Sequence, residues 1–359
     1  MNIAVACGGT GGHIFPGLAT ADELVRRGHR VTLWMAGKGI EAAAAGGWTG
    51  PVVTLHASGF STRFSMRALG TALALLKAGR EGRRRMRENR PDVLLAMGSY
   101  ASVGPVLAAL HLRVPVVLHE ANVVPGRAIR LFARWAKAVG IAFDASSYYL
   151  RGARLTVTGM PIRRELEEAA GRMPRREYAS DRFTLLVMGG SAGAQRLNEE
   201  VPQALATMGL KPPRLRVIHL AGKAGAESVR ARYAALGLDA EVIAFTHDMA
   251  ALYAAADFAI CRSGAATCAE LSAFALPALL VPYPHAVADH QMANARAVER
   301  SGAADVVGDA DLRAAWLSEY LKERMRQPER LQQMSRASAA RAQAQGTRAL
   351  ADLVERSAP

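Results

Sequence analysis

The sequence predicts an α/β protein of two doubly wound domains, each a parallel sheet wrapped by helices. Three observations carry this. Short β-branched runs alternate with longer helical stretches in both halves of the chain. The 359 residues are about twice the usual length of one domain. Both halves also open alike: Asn2-Ile-Ala-Val-Ala-Cys7 runs into Gly8-Gly-Thr-Gly-Gly12, and Phe183-Thr-Leu-Leu-Val-Met188 into Gly189-Gly-Ser-Ala-Gly193. Turns of this kind sit at the carboxyl ends of the strands, where doubly wound sheets bind ligands, so two facing domains would hold a ligand in the cleft between them.

In chain order, the expected strands of the first half are Asn2–Cys7, Arg30–Met35, Asp92–Met97, Pro115–His119 and Ala138–Phe143. They assign residues 1–160 to an N-terminal domain. The charged stretch that follows lacks a strong apolar pattern, and residues 161–182 read as a linker. Strands resume at Phe183–Met188, Arg214–Leu220, Glu241–Phe245, Asp257–Cys261 and Pro277–Pro282, each leading into a helical segment, so residues 183–359 form the second domain. Beyond Asp309 the pattern is helical, with Pro328 suited to a first helical turn and the last helix a candidate to pack back on the N-terminal domain. Asp309-Ala-Asp311, after an apparent strand, reads as a helix cap ahead of Leu312.

Half of the residues are apolar, yet charged residues or glycines interrupt every apolar run before it reaches the ~18 to 20 residues that span a bilayer. The first strand has no basic leader, which points to the cytosol. Cys7, Cys261 and Cys268 are odd in number and lack a CxxC pair, which argues against a disulfide framework or a zinc knuckle. The net charge of +14 calls for an acidic partner. Half of that excess lies between Arg63 and Arg90, where nine basic residues face two acidic ones.

Glycines after a strand let the backbone approach an anion, and the next helix offers unpaired N–H groups. A dinucleotide site is disfavoured, because a GxGxxG pattern from Gly9 and Gly11 would need glycine where Ile14 stands, and no acidic residue ends the second strand near Met35. A Walker sequence is also missing. His13, directly after the first turn, is placed to accept a proton from a hydroxyl nucleophile.

Six motifs in order make the reading specific: Gly8-Gly-Thr-Gly-Gly-His13, Met97-Gly-Ser-Tyr100, His119-Glu-Ala-Asn122 with Pro125-Gly126, Gly189-Gly-Ser-Ala-Gly-Ala194, Cys261-Arg-Ser-Gly-Ala265, and Asp289-His-Gln291 with Asn294-Ala295. From Ile3 to about Ala304 the chain resembles the MurG-type transferases of peptidoglycan synthesis. That resemblance implies the GT-B fold and transfer of N-acetylglucosamine from UDP to the 4-hydroxyl of a lipid-linked muramyl pentapeptide (lipid I to lipid II), with inversion. The first domain would bind mainly the acceptor and the second mainly UDP-N-acetylglucosamine.

By the same resemblance, Thr10, Gly11 and Gly12 would line the cleft beside the donor sugar and its diphosphate, with Asn122 on the sugar side. Arg163 and Thr246 would lie near the uridine. Ser191 would bond phosphate, and Glu270 would accept the ribose hydroxyls. Ala265, Ala266, Thr267, Cys268 and Ala269 would line the phosphate-sugar pocket, while His290 and Gln291 would read the sugar hydroxyls. The family usually carries Gln where Ala121 and Ala192 stand and Asn where Met160 stands.

The chemistry needs a base for the acceptor hydroxyl and positive potential for the departing diphosphate. His13 is the first candidate for the base and Glu120 the second. Glycine-turn amides, Ser191, Arg262 and a helix beginning near Gly264 can supply the potential, so neither a metal nor another cofactor is expected.

Phe64, Leu69, Leu73 and Leu76, followed by Lys77, Arg80, Arg83 and Arg84, suit a helix lying on an anionic membrane, where each basic residue contributes roughly 1 kcal/mol. Nucleic acid is disfavoured because no aromatic stacking platform accompanies the charges. The expected location is the cytoplasmic face of the inner membrane, with other cell-wall synthesis proteins as candidate partners. Two competing readings are another enzyme of this fold acting on UDP-N-acetylglucosamine, including a 2-epimerase, and a non-catalytic nucleotide-binding scaffold at the membrane.

Overall fold

Strands buried on both faces read as continuous apolar runs, because helices cover a parallel sheet on both sides. The computed structural model describes residues 1–37, 41, 46–55, 79–178, 182–189, 194–209, 214–342 and 345–359. It divides into two units: Met1–Arg163 with Gln345–Pro359, and Arg164–Ala344.

The first unit holds seven strands: β1 (Asn2–Ala6), β2 (Arg30–Met35), β3 (Val52–Thr54), β4 (Val93–Ala96), β5 (Val116–Glu120), β6 (Ala138–Ile141) and β7 (Leu155–Val157). They lie in the order β3-β2-β1-β4-β5-β6-β7 with every pair parallel. The second unit holds six: β8 (Phe183–Met188), β9 (Leu215–Leu220), β10 (Glu241–Ile243), β11 (Phe258–Cys261), β12 (Ala278–Leu280) and β13 (Ala304–Val306). Their order is β10-β9-β8-β11-β12-β13, again all parallel.

Both orders reverse direction once, between β1 and β4 and between β8 and β11. Such a switch point leaves a crevice at the carboxyl ends of the two diverging strands. The segments after β1 and β4, and after β8 and β11, are where the sequence carries its motifs.

The boundary departs from the sequence expectation within the linker. Within the expected linker, Arg164–Gly171 is a helix of the second unit with Leu166 buried. The charged stretch docks because half-buried Arg176 donates to carbonyls at the ends of two helices: Phe274 at 2.9 Å, Tyr253 at 2.5 Å and Ala256. The last helix, Gly346–Ser357, belongs to the first unit. Its Leu350, Ala351, Leu353 and Val354 join the core formed by Ile3, Val5, Leu33 and Leu95. Gly346 has room only for hydrogen, since a Cβ there would lie 2.6 Å from the Met160 carbonyl.

Asp309–Asp311 is a single 3-10 turn, and the next helix starts at Ala314, so these carboxylates do not cap it. Helix Pro328–Arg341 does open on its proline. Among the described residues, no helix is long and apolar enough to cross a membrane.

Candidate active site

After β1 the chain turns at Gly8-Gly9, where Gly9 has a φ of 94°, and enters helix α1 (Gly11–Arg26). Thr10 is the extended residue ahead of it. The amides of His13 and Ile14 donate back to the Thr10 carbonyl at 3.0 and 3.1 Å, which places His13 on the first turn. Its Nδ1 lies 2.9 Å from Thr10 Oγ1. Thr10 and Gly12 are exposed, whereas Gly11 and His13 are half-buried.

The loop after β4 reaches the same point: a Cβ on Gly98 would lie 3.5 Å from the His13 ring. His119, at the end of β5, is fully buried, and Nε2 lies 3.0 Å from the Gly159 carbonyl, which can only accept. Nε2 therefore carries the proton. Nδ1 has no hydrogen-bond partner. Burial, against the Gly159 bond and with the charge of nearby His13, lowers the His119 pKa to about 4.

Glu120 is buried at the foot of the next loop. Its carboxylate accepts the amides of Asn122 and Gly126, each at 2.8 Å, and Asn122 Nδ2 at 3.4 Å. Both oxygens are thus committed to shaping the segment that presents half-buried Asn122. Burial pushes its pKa up from 4.5 to about 7 despite these donors. Between those values the folded chain holds a proton that the unfolded chain has released. Stability therefore falls as pH rises through this window and levels off above it, by on the order of 3 kcal/mol. The buried neutral His119 acts in the opposite sense over the same range, so the comparison that isolates Glu120 is between variants: urea midpoints at pH 5 and pH 8 will show Glu120→Gln gaining more stability, or losing less, than wild type as pH rises.

In the second unit, the described part of the turn after β8 ends at Gly189, so Ser191 lies outside the described residues. After β11, Gly264 caps helix Ala265–Ala273, whose first-turn amides open towards the carboxyl edge of the sheet. Glu270, half-buried on this helix, accepts the hydroxyl of Tyr253 at 2.7 Å. Tyr253 is itself buried, and sequence reasoning missed it.

Helix His290–Arg300 begins after two consecutive left-handed residues, Ala288 (φ 53°) and Asp289 (φ 51°). Non-glycine residues hold that conformation at a cost of roughly 1–2 kcal/mol each, a strain typical of functional sites. His290 Nδ1 donates to the Val287 carbonyl at 2.8 Å. The Gln291 side-chain oxygen accepts the Tyr283 amide at 3.0 Å, and its carbonyl accepts Ser263 Oγ at 2.8 Å. Buried Asn294 Nδ2 donates to the Ser263 carbonyl at 3.2 Å, so the segment after β11 and this helix form one bonded block.

Two of the expected site residues, Arg262 and Cys268, are buried. Arg262 is buried, with Nη1 donating to the Val281 and Pro282 carbonyls at 3.1 and 3.2 Å and lying 2.5 Å from Asp309 Oδ1. It ties β12 to the Asp309 turn, so its charge is already matched by a carboxylate. Cys268 faces the core with Ala265, Leu271 and Ser272 by helical periodicity, and burial pushes its thiol up to about 12. Its side chain does not line the open edge. Ala266, Thr267 and Ala269 are half-buried, and Ala265 is buried at the helix start.

Arg163 is half-buried at the unit boundary. Thr246, after β10, accepts the Asp248 amide at 3.0 Å. Of the basic segment, Phe64, Leu69, Leu73, Leu76 and Lys77 lie outside the described residues. Arg80, Arg83 and Arg84 stand on helical residues 79–88, where Arg84 pairs with Glu81 at 2.8 Å.

Residues 3–141 match the glycosyltransferase family 28 N-terminal domain and residues 184–353 its C-terminal domain. Two curated relatives carry the name UDP-N-acetylglucosamine–N-acetylmuramyl-(pentapeptide) pyrophosphoryl-undecaprenol N-acetylglucosamine transferase. One, from Stutzerimonas stutzeri, is 40% identical over 98% of this chain and 97% of its own length. The other, from Rhodospirillum rubrum, is 39% identical over 100% and 92%. The crystal structure of Acinetobacter baumannii MurG superposes with a TM-score of 0.83 at 30% identity, covering 99% of each chain. A UDP-N-acetylglucosamine 2-epimerase from Listeria monocytogenes shares the fold at a TM-score of 0.69 but is 11% identical.

Proposed function

The chain belongs to the MurG family of glycosyltransferases, and from that premise we propose how its residues serve the reaction. It transfers N-acetylglucosamine from UDP-N-acetylglucosamine to lipid-linked N-acetylmuramyl pentapeptide, turning lipid I into lipid II. Near-full-length identity of about 40% to transferases, against 11% to an epimerase, favours transfer over epimerisation.

The observation that carries the mechanism is the pairing of His13 Nδ1 with Thr10 Oγ1 at the start of α1. With the proton on Nδ1, donated to Thr10, the lone pair is on Nε2 and takes the proton of the acceptor 4-hydroxyl. That oxygen bonds to the anomeric carbon as the bond from that carbon to the diphosphate oxygen breaks. The electron pair leaves with UDP. One displacement inverts the anomeric centre.

First-turn amides from Ala265 to Thr267 suit the diphosphate, as a helix N-terminus favours an anion. Glu270, fixed by Tyr253, suits the ribose hydroxyls. His290 and Gln291 suit the sugar. Incubation with UDP-N-acetylglucosamine and a short-chain lipid-linked muramyl pentapeptide will release UDP and form the β-linked disaccharide, followed by mass. UDP release without the disaccharide would sink the reading.

The acceptor's lipid requires approach to a bilayer. On the first unit, an open cavity of about 490 Å³ is lined by Arg113, Arg134, Lys137, Arg154 and half-exposed Trp135. Arg134 stacks on the Trp135 ring at 4.1 Å. Cations around an exposed aromatic suit an anionic headgroup layer, and this patch supports peripheral attachment at the cytoplasmic face. Co-sedimentation with phosphatidylglycerol vesicles at low salt, lost on Arg134→Ala/Lys137→Ala, is the expected result. Equal binding to zwitterionic vesicles would contradict it.

A further inference from the structure

The Gly8–Gly9 peptide unit is held at both ends by residues distant in sequence. Its carbonyl, on Gly8, accepts Ser99 Oγ at 2.7 Å. Its N–H, on Gly9, donates to Glu41 Oε1 at 2.8 Å. Glu41 is 1% exposed, and its second oxygen accepts the Gly37 amide after β2 at 2.7 Å. Ser99 Oγ also accepts the Ala101 amide at 3.1 Å, which fixes the hydroxyl's direction.

Both glycines are shaped around these partners. A Cβ on Gly8 would lie 2.8 Å from Glu41 Oε1, and one on Gly9 would lie 3.0 Å from Ser99 Oγ. Ser99 itself has φ 62° and ψ 174°, a region that only glycine occupies readily. A serine held there, where glycine would be relaxed, retains its hydroxyl against the backbone's preference.

We propose that Glu41 and Ser99 are positioning residues for the transfer, clamping the Gly8–Gly9 peptide plane and so fixing where α1 begins and where His13 stands. This rests on the reading of His13 as the base. The peptide plane sets the direction of the chain into Thr10, and Thr10 in turn takes the His13 amide and ring nitrogen. Rotation of that plane would displace the imidazole relative to the acceptor hydroxyl, and misplacement of about 1 Å costs about 10²-fold. The clamp also commits the Gly9 N–H to Glu41, so the diphosphate must be met by other amides.

The test is Ser99→Gly, alone and combined with His13→Ala. Relief of the left-handed serine will raise the Tm, while loss of the hydroxyl will lower kcat by about 10- to 100-fold with the donor KM within about twofold. Ser99→Ala and Glu41→Gln will lower kcat in the same way. In the His13→Ala background, Ser99→Gly will have no further effect on kcat. A merely structural serine would give a higher Tm at unchanged kcat, which overturns the proposal. Independent, multiplying losses in the double variant overturn it too, because the clamp would then act through something other than His13. Failure of the base reading is seen separately, in His13→Ala alone retaining near-wild-type kcat.

Discussion

His13→Ala will lower kcat by about 10²–10⁴-fold, the range that general-base catalysis contributes, with little change in Tm. The ring is half-buried on the first turn of α1 and contributes little to the core beneath it. Removing it leaves Thr10, the glycine turn and the donor-side helix in place, so the donor KM should hold while turnover collapses. Initial rates of UDP release at saturating donor and acceptor measure this directly. Turnover within about tenfold of wild type would move the base elsewhere. Glu120 is a poor substitute, since its two oxygens already accept the amides of Asn122 and Gly126.

Gly17→Ala carries the largest expected loss of stability. In α1, the position of Gly17 faces β1 so closely that a Cβ would lie 2.4 Å from Cys7 Cβ and 2.9 Å from its sulfur. Cys7 Cβ is fixed to the backbone and cannot swing aside. The helix must lift off the sheet, at a cost of about 3 kcal/mol, the upper end of ordinary overpacking. The same movement carries the start of α1 with it. Differential scanning calorimetry will show the first unit's transition falling by roughly 6–12 °C at 2–4 °C per kcal/mol. Cys7→Ala/Gly17→Ala should recover less than the whole, because Cβ remains at position 7. An unchanged transition for Gly17→Ala would mean that α1 does not pack on β1 as described.

How much of this was legible depends on the range of the contact involved. The ten expected strands are present, with ends that differ by up to two residues, because a strand covered on both faces writes a local apolar run. The missed strands, β3 and β7, are three-residue edges with half-exposed or exposed side chains, too short to leave a pattern. Motif order located the turns at both switch points, since glycine marks close backbone approach wherever it occurs. It could not show that Gly9 needs Glu41, 32 residues away, or that Gly8 needs Ser99, 91 residues away. Arg262 was named as a source of positive potential for the diphosphate, since arginine serves phosphate and buried pairs alike, and the structure adds its pairing with Asp309. The end of the linker was misplaced for a similar reason, since the partners of Arg176 (Tyr253, Ala256 and Phe274) lie far along the chain. The helix Gly346–Ser357 was a candidate to pack back on the N-terminal domain, though nothing in its periodicity names the sheet that its apolar face covers.

That closing helix has a consequence for biosynthesis. The polypeptide leaves the first unit after Arg163 and returns at Gln345, and on return Thr347 Oγ1 bonds the Ile162 carbonyl at 3.1 Å. On the ribosome, residues 164–344 are therefore finished before the earlier-made half owns its last layer of core. A fragment ending at Arg163 would emerge with Ile3, Val5 and Leu95 uncovered on one side, and fragment expression will require the tail to be supplied or spliced on.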